Sequence, residues 1–186
     1  MRIIAGRFRG KTLDAPGGQA TRPTSDRVRE ALFNVLEHGA PQFDFEASRV
    51  LDLFSGSGAL GLEALSRGAR YCLFIDDDAG ARASIRRNVE ALGLTGSTKI
   101  WRRDAMRLGP AGKLTSFDLV FCDPPYGKGL APQALAEAAN GGWLATGAVA
   151  VLEDQADIEI AWPQPFAEID SRRYGGTQVG IATFTG

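Results

Sequence analysis

From Arg49 onward the chain alternates short apolar runs with stretches whose apolar residues recur every three or four positions. The runs Val50 to Phe54, Tyr71 to Ile75, Lys99 to Arg102, Phe117 to Cys122 and Ala148 to Glu153 predict strands. Between them, Ala59 to Arg67, Ala79 to Leu92 and Gln133 to Asn140 predict helices. In the second of these, Ile85, Val89 and Leu92 make one buried stripe, with Arg82, Arg86 and Arg87 mostly outside it. Strands alternating with helices imply a mainly parallel sheet covered on both faces, with right-handed crossovers. Two last extended runs, Glu168 to Tyr174 and Gln178 to Phe184, flank Gly175-Gly176-Thr177 and predict a closing antiparallel hairpin. Together these make a seven-stranded, Rossmann-like α/β sheet.

Ahead of this block, residues 1–15 read as two short extended pieces around Arg9-Gly10, a small β-hairpin. A turn-rich stretch from Pro16 to Pro23 leads to a helix capped by Thr24 or Ser25. Its apolar positions Val28, Ala31, Leu32, Val35 and Leu36 fit one buried stripe. The expected division is a basic hairpin and arm over 1–22 and a main domain over 23–186.

Composition narrows the setting. The chain has 186 residues, 44% hydrophobic and 23% charged, ordinary values for one soluble domain. No apolar run reaches the roughly 18 residues of a membrane span, and the N-terminus has no signal-peptide core, so a cytoplasmic location is expected. Cys72 and Cys122 each lie in an apolar run and read as buried, reduced thiols. With His38 the only histidine, no metal site and no histidine-based nucleophilic mechanism is expected. Net charge is −1, yet the first 29 residues carry seven basic side chains (Arg2, Arg7, Arg9, Lys11, Arg22, Arg27 and Arg29) against Asp14 and Asp26. A basic arm on an acidic body can hold phosphates that the overall charge conceals.

Two motifs carry chemistry. Gly56-Ser57-Gly58-Ala59-Leu60-Gly61 sits between a strand and a helix, where glycines permit a tight turn and close approach of a ligand to backbone. Twenty residues after Gly56, Asp76 ends the next strand, placed to grip ribose hydroxyls. This order points to a nucleotide-like cofactor. Asp52, at the strand end before the loop, suits the ammonium of an amino-acid tail better than a pyrophosphate; capping the loop's own amides is the other reading. Asp104, after the third strand, could accept from an adenine amine or be a surface carboxylate. The second motif, Asp123-Pro124-Pro125-Tyr126, follows the fourth strand. A carboxylate and the carbonyl of a residue lacking N–H accept hydrogen bonds without donating any, and consecutive prolines fix their direction. Tyr126 adds a flat face for a base. The set suits a planar amine.

These residues together resemble the class I S-adenosylmethionine-dependent methyltransferases, and more narrowly the RsmD family of bacterial 16S ribosomal RNA guanine-N2 methyltransferases. The resemblance runs through Arg2 to Gly6 with Arg9-Gly10, Thr21 to Asn34, Leu51 to Ala69, Asp123 to Tyr126, and Tyr174 to Thr177. The Arg22 to Asn34 block and the long glycine-loop block are specific, whereas Asp-Pro-Pro-Tyr is shared by many amino-methyltransferases. Ser55 stands where alanine is common and Asp76 where glutamate is frequent, while the tail after Asp157 matches weakly. The resemblance implies that Asp52, Phe54, Ser55, Gly56 and Gly58 cradle the methionine part of S-adenosylmethionine. It implies further that Asp76, with Asp77 beside it, holds the ribose, and that Asp104 and Ala105 lie near the adenine. Asp123, Pro124 and Tyr126 would be catalytic, with Tyr126 stacking on the flipped base. Arg22 and Thr24 would lie near cofactor or target; separately, the basic arm with Arg2, Arg7, Arg9 and Lys11 is expected to hold the phosphates flanking the target, and Arg27 to contact substrate. The implied partner is 16S ribosomal RNA or a small-subunit particle, met by a monomer without a metal. Three rival readings remain: a DNA adenine-N6 methyltransferase, a nicotinamide-dependent oxidoreductase, and a non-catalytic RNA-binding or ribosome-assembly protein.

Overall fold

A computed structural model describes residues 1–16, 25–125 and 128–186. Seven strands form one sheet: β1 (Arg49–Leu53), β2 (Tyr71–Ile75), β3 (Thr98–Trp101), β4 (Phe117–Cys122), β5 (Leu144–Gln155), β6 (Phe166–Tyr174) and β7 (Thr177–Phe184). Their spatial order is β3-β2-β1-β4-β5-β7-β6. The first five are parallel, and β7 pairs antiparallel with both β5 and β6. This is the expected sheet with its closing hairpin. The helices are α1 (Asp26–His38), α2 (Ala59–Ser66), α3 (Ala79–Ala91) and α4 (Leu130–Asn140).

Alternation along the strands splits the core into two layers. Val50, Leu119, Phe121, Val149, Val151 and Val179 face α1, α2 and α3. Leu51, Leu53, Val120, Cys122, Ala150 and Leu152 face α4 and the segment around Ala105 and Leu108. Cys72 and Cys122 are buried and unpaired, as the apolar runs around them imply.

Three elements depart from the sequence reading. In α1, Ser25 caps the helix by accepting from the Val28 N–H, but the fully buried positions are Arg29, Leu32, Phe33 and Leu36. Val28, Ala31 and Val35 are only half-buried. The stripe is rotated because Phe33 stacks on Phe45 and meets Phe121 at 5.7 Å between ring centroids, while Arg29 turns inward to donate to the Arg2 carbonyl and to Asp26 (3.0 Å). Helix α4 starts three residues early, since Pro132 sits in its first turn, where an N–H has no intrahelical partner to lose. Strand β5 begins four residues early, through the exposed Thr146 and Gly147 and a shift in its register with β4.

At the N-terminus, Ile3 donates to the Lys11 carbonyl (2.9 Å) and accepts from the Gly10 N–H (2.9 Å), closing the expected hairpin around a tight turn at Gly6–Phe8. Ile3 and Leu13 sink into the same core as Leu32 and Val50. Glu63, wholly buried on α2, accepts from the Ile4 (2.7 Å) and Ala5 (3.0 Å) N–H groups and from Arg67 (2.9 Å). Gly6 lies so close to α2 that a Cβ would come within 1.9 Å of the Ser66 carbonyl oxygen.

Candidate active site

Strand order reverses between β1 and β4, and the crevice at the carboxyl ends of those strands is where open parallel sheets bind ligands. Both sequence motifs arrive there. After β1, Phe54 takes a left-handed backbone (φ 56°), uncommon for a side chain of its size, and turns the chain into the loop. Ser55 ties that loop to β2: its hydroxyl accepts from the Ile75 N–H (3.0 Å) and donates to the Asp52 carbonyl (2.5 Å). Gly58, also left-handed (φ 78°), opens α2. Gly61 lets α2 approach the sheet, because a Cβ there would lie 2.5 Å from Phe74 Cε1 and 2.6 Å from Cys72 Sγ.

Four carboxyl groups surround the loop. Asp52 is buried, and its Oδ2 accepts from the Gly61 N–H at 3.0 Å, so the alternative of capping the glycine motif's own amides is met at this one amide. Burial pushes its carboxyl well above the ordinary value, the Gly61 N–H opposing and the nearby Asp76 charge adding to the rise. Asp76 accepts from the Gly56 N–H through Oδ2 (2.8 Å) and from the Asp78 N–H through Oδ1 (2.9 Å). Its pKa is likewise raised by burial, against the pull of those two amides. Each carboxylate oxygen has a second lone pair, so Asp76 can still accept from a ribose. Of the acid triplet it is the one turned toward the loop. Asp78 caps α3 through the Ala81 N–H (2.7 Å), and Asp77 is exposed.

Asp123 follows Cys122, and Pro124 behind it is buried. Continuing the β4 alternation past Cys122 puts Asp123 on the face of Leu119 and Phe121, below α1. Glu153, in register one position beyond Leu152 opposite Cys122, alternates onto the same face and is buried, as is Asp154 beside it. Desolvation raises the Asp123 pKa well above the carboxylate range, and the Glu153, Asp52 and Asp154 charges raise it further. Sequence reasoning missed Glu153. Its signal was available: like Asp52 and Asp123, it is a carboxylate at the carboxyl end of a parallel strand. A mouth lined by carboxyl groups repels a pyrophosphate and suits a nucleoside with a cationic tail, so these residues fit S-adenosylmethionine and not a dinucleotide.

Asp104 is exposed, and its side chain caps the short turn Ala105–Arg107 by accepting from the Met106 N–H (2.8 Å); Ala105 is buried. Arg7, Arg9, Lys11 and Arg27 are exposed, Arg7 lying over the Phe8 ring (4.4 Å). The arm is bound to the glycine loop through Asn88, whose side-chain amide donates to the Asp14 (2.9 Å) and Ser57 (3.0 Å) carbonyls. Arg22, Thr24 and Tyr126 lie outside the described residues. Among the described residues there is no cluster of potential metal ligands and no helix long and apolar enough to cross a membrane.

Known proteins are similar to this chain in sequence and fold. Ribosomal RNA small subunit methyltransferase D of Escherichia coli K12 is 39% identical over 157 residues, covering 84% of this chain and 76% of that protein. The protein of the same name in Haemophilus influenzae is 33% identical over 177 residues, covering 94% and 89%. Among solved structures, yhhF of Escherichia coli superposes with a TM-score of 0.82 at 33% identity, over 100% of this chain and 98% of that one. A Salinibacter ruber RNA methyltransferase in complex with S-adenosyl-L-homocysteine shares the fold at a TM-score of 0.65 and 16% identity, over 88% and 94%. The family model described as "Conserved hypothetical protein 95" matches residues 1–183, and the chain belongs to that family, the RsmD methyltransferases.

Proposed function

We infer that this protein transfers the methyl group of S-adenosylmethionine to the exocyclic N2 amine of a guanine in 16S ribosomal RNA. The observation that carries the reading is the placement of the half-buried Asp123 and the buried Pro124 at the end of β4, across the strand switch from the glycine loop, Asp52 and Asp76. Glycine-loop backbone, Asp52 and Asp76 would hold the cofactor's amino-acid tail and ribose. Bound there, the cofactor supplies a methyl group already activated by its sulfonium.

The protein's task is then to orient and desolvate the nucleophile. A guanine amine is a weak nucleophile because its lone pair is delocalised into the ring. Asp123 accepts a hydrogen bond from one of its N–H groups and the Pro124 carbonyl from the other, drawing the nitrogen toward tetrahedral geometry and turning its lone pair toward the methyl carbon. As the nitrogen gains the methyl group, whose bond to sulfur breaks to leave S-adenosylhomocysteine, it becomes cationic and must release a proton. Asp123, whose surroundings favour the protonated form, is the acceptor within reach. Tyr126 supplies a stacking face for the base.

Isotope transfer from labelled S-adenosylmethionine tests the reading on three substrates: unmodified small-subunit particles, naked ribosomal RNA and DNA. Label on a guanine N2 of either RNA form is expected, label on DNA adenine alone would replace the substrate, and no transfer would leave a binding protein. Asp123→Ala should bind S-adenosylhomocysteine as the wild type does while losing most of its transfer rate, on the order of 100-fold or more. Undiminished turnover by that variant removes Asp123 from the mechanism.

A further inference from the structure

A cavity of about 520 Å³ opens between the first half of α1 and the β6–β7 turn, lined by Arg27, Val28, Ala31, Tyr174 and Gly175. Neither the glycine loop nor Asp123 contributes to it. Its size is that of a small-molecule pocket. Two apolar residues of α1, Val28 and Ala31, are left half-buried because they face this space. Opposite them stands Tyr174, half-buried against the α1-side core. The exposed Arg27 sits at the mouth.

The cavity belongs to the same face and the same end of the sheet as Asp123. Glu153 pairs with Val179, Gln155 with Thr177, and Thr177 in turn with Tyr174. It is nevertheless displaced sideways. From β4, which carries Asp123, to β7 is two strand spacings and to β6 three, roughly 10 to 14 Å. With Asp123 absent from its lining, the cavity lies beside the place of the target amine.

Resting on the methyltransferase reading above, we propose that this cavity receives an unstacked nucleobase adjacent to the target guanine on the same RNA strand, with Tyr174 as its stacking wall and Arg27 facing its phosphate. An apolar cavity with an aromatic ring in its wall and a cation at its rim has the chemistry by which proteins hold single-stranded bases. The slot would make turnover depend on the identity and exposure of the neighbouring nucleotide, beyond the target itself.

Steady-state kinetics on an RNA substrate that the wild-type protein methylates provide the test. Tyr174→Ala should raise the RNA KM roughly 5- to 150-fold, the loss of one base–aromatic stack, with kcat nearly kept. Tyr174→Phe should restore KM. Ala31→Phe, which fills the slot without removing a contact, should raise KM in the same way, and all three should bind S-adenosylhomocysteine normally and melt near the wild type. With 2-aminopurine next to the target, binding should quench its fluorescence in the wild type and not in Tyr174→Ala. A fall in kcat with KM unchanged would assign the slot to the target base and overturn the proposal, as would unchanged kinetics in both Tyr174→Ala and Ala31→Phe. Failure of the wild type to methylate any RNA defeats the methyltransferase reading instead, so the two failures are distinct.

Discussion

Asp123 shows what the site demands of single residues. Its carboxyl is desolvated and shares its surroundings with Glu153, Asp52 and Asp154, so the folded protein holds protons there more tightly than the unfolded chain does. For an acid whose pKa is raised by folding, the stability it contributes is complete below the ordinary carboxylate range, near pH 4, and is lost as pH climbs through the raised value. Asp52, raised by burial, carries the same sign. Asp123→Asn removes the ionisation while keeping the shape, and should melt above the wild type at pH 7 to 8, the gap closing toward pH 4. Each kcal/mol recovered shifts the midpoint of a chain of this length by roughly 2–4 °C. Melting curves of the two proteins across that pH range decide the matter: parallel behaviour would mean that Asp123 ionises in the folded protein at no cost. A variant at once more stable and inactive is the mark of a residue kept for chemistry.

At the scale of elements, the fit between α2 and the first two strands fixes where the cofactor loop can lie. Gly61 has space only for hydrogen, bounded by Phe74, Cys72 and the Asp52 carboxylate oxygen, which a Cβ would meet at 3.0 Å. Gly61→Ala should therefore push α2 off the sheet, costing about 1–3 kcal/mol, and weaken S-adenosylhomocysteine binding by disturbing the Asp52 contact. Denaturant unfolding and calorimetric titration would measure the two effects, and a variant normal in both would show that the loop tolerates the shift. That glycine was legible in the sequence because its spacing from Gly56 and Gly58 is set by backbone geometry, which local residues encode. The strand and helix order was legible for the same reason, since burial writes a period into each segment. Glu63 was not. Its meaning lies in the Ile4 and Ala5 amides, 58 or more positions away, and a buried glutamate in a helix reads like an exposed one until the arm is seen to cover it. Arg29 was missed likewise, a charged residue placed inside by partners on the arm and on its own first turn. The stripe of α1 was misread by one position because Phe33 and Arg29 found partners outside the helix, while Val28 and Ala31 face a cavity, and periodicity cannot distinguish a wall of a core from a wall of a pocket.

For the whole molecule, the arm joins charge to active site. Hydrogen bonds from Asn88 fasten Asp14 to the glycine loop, and Glu63 and Ser66 fasten residues 4 to 8 to α2, so the basic side chains of the arm ride on a fixed platform. Arg7, Arg9 and Lys11 project from it into solvent. The protein carries a net charge of −1, and a polyanion is not attracted to it as a whole. Attraction must come from the local field of the arm, which within a Debye length of about 8 Å at physiological salt outweighs the distant acidic body. Phosphates held there would release counterions, making the RNA affinity fall with salt by a logarithmic slope of about 0.7 for each single-strand phosphate contact. Reversing Arg7 and Arg9 to glutamate together should then raise the RNA KM and reduce that slope by about 1.4, with kcat at saturating RNA and cofactor affinity little changed, because neither residue reaches the strand ends where Asp52, Asp76 and Asp123 gather. Measured between 50 and 200 mM salt, an unaltered slope would leave the arm a structural brace alone, whereas a lower slope with intact kcat would establish it as the surface that brings the RNA strand to an otherwise acidic protein.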